Sequence, residues 1–222
     1  MGKEEEVVSP EQVPAKAEEK HPIAANLSQT GNDNTQIAYV QNYDGSVHQT
    51  FNVHMQQPWL ASGGQVYIPP SINREYYNLF VVGVEEFDKP HFRIMRSRSL
   101  NGCMSDETRK KFDPPTPETI SDIKRMPSLF MAENRNYGRA DDDQVVIYGF
   151  VSDVKIYDND IKIYHSGFAT FEQQRINELL DELGLIGDDK FNELNRTHWA
   201  IKRVDLIQEL KEAGVPIPDF KL

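Results

Sequence analysis

The chain has 222 residues, 38% of them hydrophobic, with a formal charge of −11 and a pI near 5.0. That balance excludes broad, sequence-independent nucleic-acid binding, which needs a basic footprint, and it excludes adsorption to anionic lipid. A lone cysteine, Cys103, excludes an internal disulfide, and no apolar run approaches the roughly 20 residues of a membrane span.

The expected setting is therefore cytoplasmic, with no membrane partner. Residues 1–6 (MGKEEE) lack the apolar core of a secretion signal and the Ser or Thr of a myristoylation site. A mean hydropathy of −0.61 is low for a fully packed chain of this length and predicts that part of it lies outside the core. Residues 1–26 fit that description. They are charged, carry Pro10, Pro14 and Pro22, and have too little apolar surface to offset ordering entropy, which predicts a disordered acidic tail.

Residues 28–57 form a second unit, rich in Asn and Gln and free of Lys, Arg and Glu. Little charge repulsion keeps copies of such a segment apart, and amide side chains ladder between stacked strands. Asp44-Gly45 is a two-residue hairpin turn signal that pairs 35–43 with 46–55. Both faces of that hairpin carry apolar residues, and an isolated hairpin is marginal in water, so the segment needs something further to pair with. The residues assigned to assembly or partner contact are Gln36, Ile37, Tyr39, Val40, Asn42, Val47, Phe51 and Val53.

Residues 58–75, with Pro58, Gly63-Gly64 and Pro69-Pro70, read as a linker to an α+β domain at 76–222. In that domain, 76–86 (YYNLFVVGVEE) predicts a strand turning through Asp88-Lys89-Pro90 into a second, 91–97. Pro114, Pro115 and Pro117 precede a short helix at 120–125. The longest strand signal, 144–157 (QVVIYGFVSDVKIY), turns at Asp158-Asn159-Asp160 into 161–166. Gly83 and Gly149 mark bends that permit a small barrel. Two helices close the chain. The first has the stripe Ile176, Leu179, Leu180 and Leu183, a capping box at Thr170 and Gln173, and a stop at Gly184. The second has Leu206, Ile207, Leu210 and Ala213, an N-cap at Asp205, and an end at Gly214 and Pro216. Strands precede helices, so the fold class is α+β: an antiparallel, barrel-like sheet packed by C-terminal helices.

The sharpest enzymatic candidate is Asp153-Val154-Lys155 with Asp141, Asp142 and Asp143 upstream. Metal-dependent nucleases place an acid before an acid-x-Lys strand, two carboxylates holding Mg²⁺ while the Lys polarises attack; Asp143, Asp153 and Lys155 would fill those roles. The same run read as an amphipathic hairpin puts Lys155 opposite Lys162 and Asp153 opposite Tyr164, with Val146, Tyr148, Phe150 and Val154 on one inner face. That reading is preferred, with the nuclease as the alternative. Glu133 and Arg135 suggest a loop ion pair, and Cys103, His165 and His198 stand apart in sequence with no metal-ligand spacing. No cofactor is assigned. The basic cluster Arg93, Arg96, Arg98, Arg109, Lys110 and Lys111 reads as a solvated or docking surface rather than a nucleic-acid site.

Residues 35–42 (TQIAYVQN) resemble the Gln-Ile-Gly-x-x-Asn core of RHIM-type signalling amyloids, with Ala38 standing where that core has Gly. The wider stretch 28–45 is similar to the Asn/Gln-rich assembly motifs of bacterial immune-type signalling proteins. The resemblance implies an oligomerisation module on a sensing or effector domain. Residues 76–222, with 195–200 (NRTHWA), look similar to uncharacterised bacterial proteins. The expected function is a non-enzymatic binding or adaptor protein that self-associates or recruits a protein partner through its N-terminal segment, in bacterial anti-phage signalling.

Overall fold

A computed structural model describes residues 66–83 and 87–220. The tail 1–26 and the assembly segment 28–57, with the residues assigned to assembly, lie outside the described residues. Among the described residues, six strands form one mixed sheet: β1 (Tyr77–Val81), β2 (His91–Met95), β3 (Pro127–Met131), β4 (Val145–Ile156), β5 (Asp160–Glu172) and β6 (His198–Lys202), in the order β2-β5-β4-β3-β1-β6. The expected antiparallel sheet is thus corrected in one place, because β1 and β3 run parallel. A parallel pair needs a crossover, and 96–126 supplies it, with α1 (Asp106–Phe112) and α2 (Pro117–Ile123). For the same reason β1 and β2 are no hairpin. β2 pairs with β5, while β1 lies between β3 and β6.

The sheet curls into a half-barrel. Past β2 and the 3-10 helix Arg96–Arg98, Ser99 bridges Trp199, and the Leu100 amide donates to the Trp199 carbonyl at 2.8 Å. Chain leaving one edge of the sheet therefore covers the opposite edge strand, β6. Both faces are buried, which is why β1, β3 and β6 are buried along their whole length rather than at alternate positions. One core holds Phe80, Phe92, Phe130, Ile147, Val151 and Trp199, closed by Phe112 and Ile123 of the crossover helices. Phe80 stacks on Phe130 with centroids 5.1 Å apart, and on Trp199 at 5.2 Å. The opposite core holds Leu79, Leu129, Met131, Val146, Tyr148 and Phe150 under Leu183, Leu206 and Leu210. Val66, Tyr67 and Ile72, in the stretch expected to be linker, pack against this second core.

The β4–β5 hairpin has the expected register, Lys155 opposite Lys162 and Asp153 opposite Tyr164. Its inner face is not continuous. A bulge between Val151 and Asp153 adds one residue to β4, and a period of two then sends Val154 to the Phe130 side while Phe150 stays under the helices. Gly149 sits at a second register shift, where a Cβ would meet the Ser166 carbonyl oxygen at 2.1 Å.

Of the closing helices, α4 (Leu206–Glu212) follows expectation: the Asp205 side chain accepts from the Gln208 amide, and Gly214 has φ +72°. The other is shorter than its leucine stripe implies. Thr170 belongs to β5, opposite Ile147, and α3 spans only Gln174–Asn177. Gln173 does not cap; its amide donates to the Ala132 carbonyl and to Asn134 Oδ1, both at 2.9 Å. Among the described residues, no helix is long and apolar enough to cross a membrane.

Candidate functional site

The chemically richest cluster gathers beside β6, from two loops and the strand itself. The first loop, 100–104, is pinned by the Leu100–Trp199 hydrogen bond, and Leu100 and Cys103 both take positive φ, +57° and +35°. For non-glycine residues that conformation is sparsely populated and persists only where surroundings enforce it. The second loop, 185–196, is folded by buried Asn192. Its side chain accepts from the Leu194 amide and donates to Asn177 Oδ1, closing the 3-10 helix Glu193–Asn195. β6 contributes His198 and Lys202, four apart in a strand and so on one face, opposite to Trp199 and Ile201.

Cys103, Glu193 and His198 are all buried, and one donor atom of each lies within 4.8 Å of the other two. Arg196 donates to Cys103 Sγ at 2.7 Å. The Lys202 ammonium straddles the Glu193 carboxylate, 2.8 Å from Oε1 and 2.9 Å from Oε2, with hydrogen-bond geometry only to Oε2, and it donates to the Gly184 carbonyl as well. His198 Nδ1 lies 2.9 Å from the Arg196 carbonyl oxygen. A carbonyl only accepts, so Nδ1 carries the proton and Nε2 keeps a lone pair, buried and without a hydrogen-bond partner. Burial pushes the Cys103 thiol above its ordinary value, with the Glu193 charge adding and Arg196 opposing. Burial likewise lowers His198, against the Arg196 carbonyl, so the imidazole is neutral near pH 7. The result is a ligand set of sulfur, oxygen and nitrogen held between two cations.

A few residues away the same loop reaches solvent. Ile186 and Phe191 are each 57% exposed, and Tyr137, on the adjoining loop, is 74% exposed. The two loops are tied together: the Gly138 amide donates to the Lys190 carbonyl, and the Asn195 side-chain amide donates to the Tyr137 carbonyl. The same two loops also carry exposed Arg139, Asp142, Asp188, Asp189 and Lys190, charges of both signs.

The residues singled out from sequence fall elsewhere. Asp143 pairs with Arg135 at 2.7 Å before the start of β4, whereas Asp153 and Lys155 lie near its far end. Asp143 and Asp153 lie ten positions apart along a largely extended chain, roughly 30 Å at ~3.3 Å per residue, so the acid-x-Lys set is not brought together. Lys155 instead lies over the Tyr164 ring, 5.0 Å from its centroid. Glu133 and Arg135 form no pair with each other; Glu133 accepts from the Thr197 hydroxyl at 2.5 Å. The basic cluster spreads over β2, the following 3-10 helix and α1. Arg93 pairs with Asp160, Arg109 with Asp106, and Lys111 lies over the Tyr76 ring.

Sequence reasoning left out the Cys103–Glu193–His198 grouping because its members come from opposite ends of the domain. The local signal was confined to the dense polar spacing of 192–198, which is unremarkable without knowing that Ser99 and Leu100 lie against Trp199. No protein-family model, no curated protein and no solved structure matches this chain.

Proposed function

We propose that this protein is a non-enzymatic, self-associating binding protein, and that its described domain meets a second copy through the patch formed by Tyr137, Ile186 and Phe191. The observation that carries this reading is the exposure of three large apolar side chains on two mutually anchored loops. Clusters of this kind, rimmed by polar residues, mark interaction surfaces. A second copy is the occupant because the same loops carry acids and bases together. A two-fold interface sets the same patch against itself and so needs self-complementary charge. Residues 28–57 support the reading independently, through their lack of repelling charge and their resemblance to signalling assembly motifs. Recruitment into an immune-type signalling assembly is the setting that this resemblance suggests.

Sedimentation of the full chain over a wide concentration range tests the proposal. The wild type is expected to show a weight-average mass that rises with concentration. Phe191→Asp should weaken association about thirtyfold, the effect of losing a hot-spot side chain of about 2 kcal/mol. Ile37→Lys with Val40→Lys should remove species larger than the dimer. A full chain that stays monomeric at every concentration overturns the function. Association that Phe191→Asp leaves unchanged overturns the assignment of the patch.

A further inference from the structure

We propose that Cys103 Sγ, the Glu193 carboxylate and His198 Nε2 form a binding site for a borderline-soft divalent transition ion of the Zn²⁺ class. Three observations converge on it. One candidate donor atom from each of the three residues lies within 4.8 Å of the other two, and all three residues are buried. In a tetrahedral site with bonds of about 2.0–2.3 Å, ligand atoms sit about 3.5 Å apart, so closure asks only for side-chain adjustments of about an ångström. The imidazole is prepared as metal-ligating histidines are, with Nδ1–H donating to a backbone carbonyl and a lone pair left on Nε2. That nitrogen is otherwise a buried polar atom with no hydrogen-bond partner, and its residue is grouped with a thiol and a carboxylate.

The neighbouring cations fit as outer partners. Arg196 donates to Sγ, as outer donors do to ligand thiolates, and Lys202 keeps Glu193 Oε2 and the Gly184 carbonyl while Oε1 turns to the ion. Their charge makes this a weaker site than an all-cysteine one. The mixed set of one thiolate, one imidazole and one carboxylate selects against Mg²⁺ and Ca²⁺, which take oxygen ligands alone. An ion here would tie loop 100–104 to loop 185–196 across the end of β6. It would thereby fix the backbone that carries Ile186 and Phe191.

The probe is Co²⁺ added to the reduced, metal-free full chain. The expected result is saturation at one ion per chain, with a thiolate-to-cobalt charge-transfer band and four-coordinate d–d bands, all displaced by Zn²⁺. Cys103 is the sole cysteine, so His21, His48 and His54 elsewhere in the chain can contribute no such band. Cys103→Ser should abolish the band. His198→Asn should lower affinity by at least the roughly 10–100-fold that loss of an outer-shell partner produces. A folded wild-type chain without the charge-transfer band overturns the proposal. Should the variants fail to fold, X-ray absorption of the zinc-loaded wild type still decides: one sulfur among lighter scatterers supports the site, and a shell of nitrogen and oxygen alone overturns it.

Discussion

Among the described residues, each face of the sheet buries one histidine, and the two are buried to opposite ends. His165 is 8% exposed on the side of the stacked rings, its own ring 4.8 Å from that of Phe130 and 5.7 Å from that of Phe92. His198 is 5% exposed on the other side, among Cys103, Glu193, Lys202 and Arg196. Neither nitrogen of His165 makes a well-formed hydrogen bond. Desolvation pushes His165 down to about 4; the nearby Lys89 backbone opposes that shift and His91 reinforces it. Equal burial therefore yields an inert aromatic filler on one face and a prepared ligand on the other. What separates them is the company each keeps: stacked rings and the Lys89 backbone on one side, a carboxylate and two cations on the other.

The largest test of the comparison removes a ring from each face. Phe130→Ala on the ring-stacked side and Phe150→Ala under the helices should each destabilise by about 3–5 kcal/mol in urea unfolding. Both side chains are fully buried. A loss much smaller than this for one of them would mean that its face is not a packed core. The next test is pH. The folded value of His165 lies below the ordinary ~6.5, so between those values the unfolded chain binds the extra proton. Stability that is complete above pH ~6.5 should then be lost as pH falls towards 4, by about 3 kcal/mol in total. Comparing His165→Phe with the wild type isolates this contribution, because the variant lacks the titrating group. Parallel pH profiles for the two proteins would sink the assignment. The smallest effect belongs to the hairpin tip. Lys155 is exposed, faces Lys162 across the ladder and lies over Tyr164, so Lys155→Ala should change stability by no more than ~0.5 kcal/mol. A loss comparable to that of Phe150→Ala would place the tip inside the core after all.

Much of the scaffold was legible from local chemistry. Asp158-Asn159-Asp160 set the register of the long hairpin, and Asp205 with Gly214 bracketed α4, because turns and caps depend on residues within four positions of one another. Leu183, Leu206 and Leu210, read as parts of apolar helix stripes, pack on the face of Tyr148 and Phe150. Val154 was misplaced, since a one-residue bulge inverts a period-two pattern without leaving a sequence mark. The short strands β3 and β6 escaped notice because sheets covered on both faces show no alternation, only brief apolar runs. Arg109, Lys110 and Lys111, read as part of a basic surface, lie in helix α1, capped by Ser105 and anchored by buried Thr108 and Phe112.

The candidate site divides along the same line. The order of residues alone set which side chains were available: one thiol, few histidines, an excess of acids, and a stretch at 28–57 poor in charge. It determined turns, caps and the pairing of adjacent strands, because those energies are local. The tertiary structure alone decided that β1 lies parallel to β3, that Ser99 and Leu100 cross to the far edge at Trp199, and that Cys103 consequently stands beside Glu193 and His198. Such contacts follow from which apolar surfaces bury one another once the sheet curls, and burial is set by the whole chain, not by neighbours in sequence.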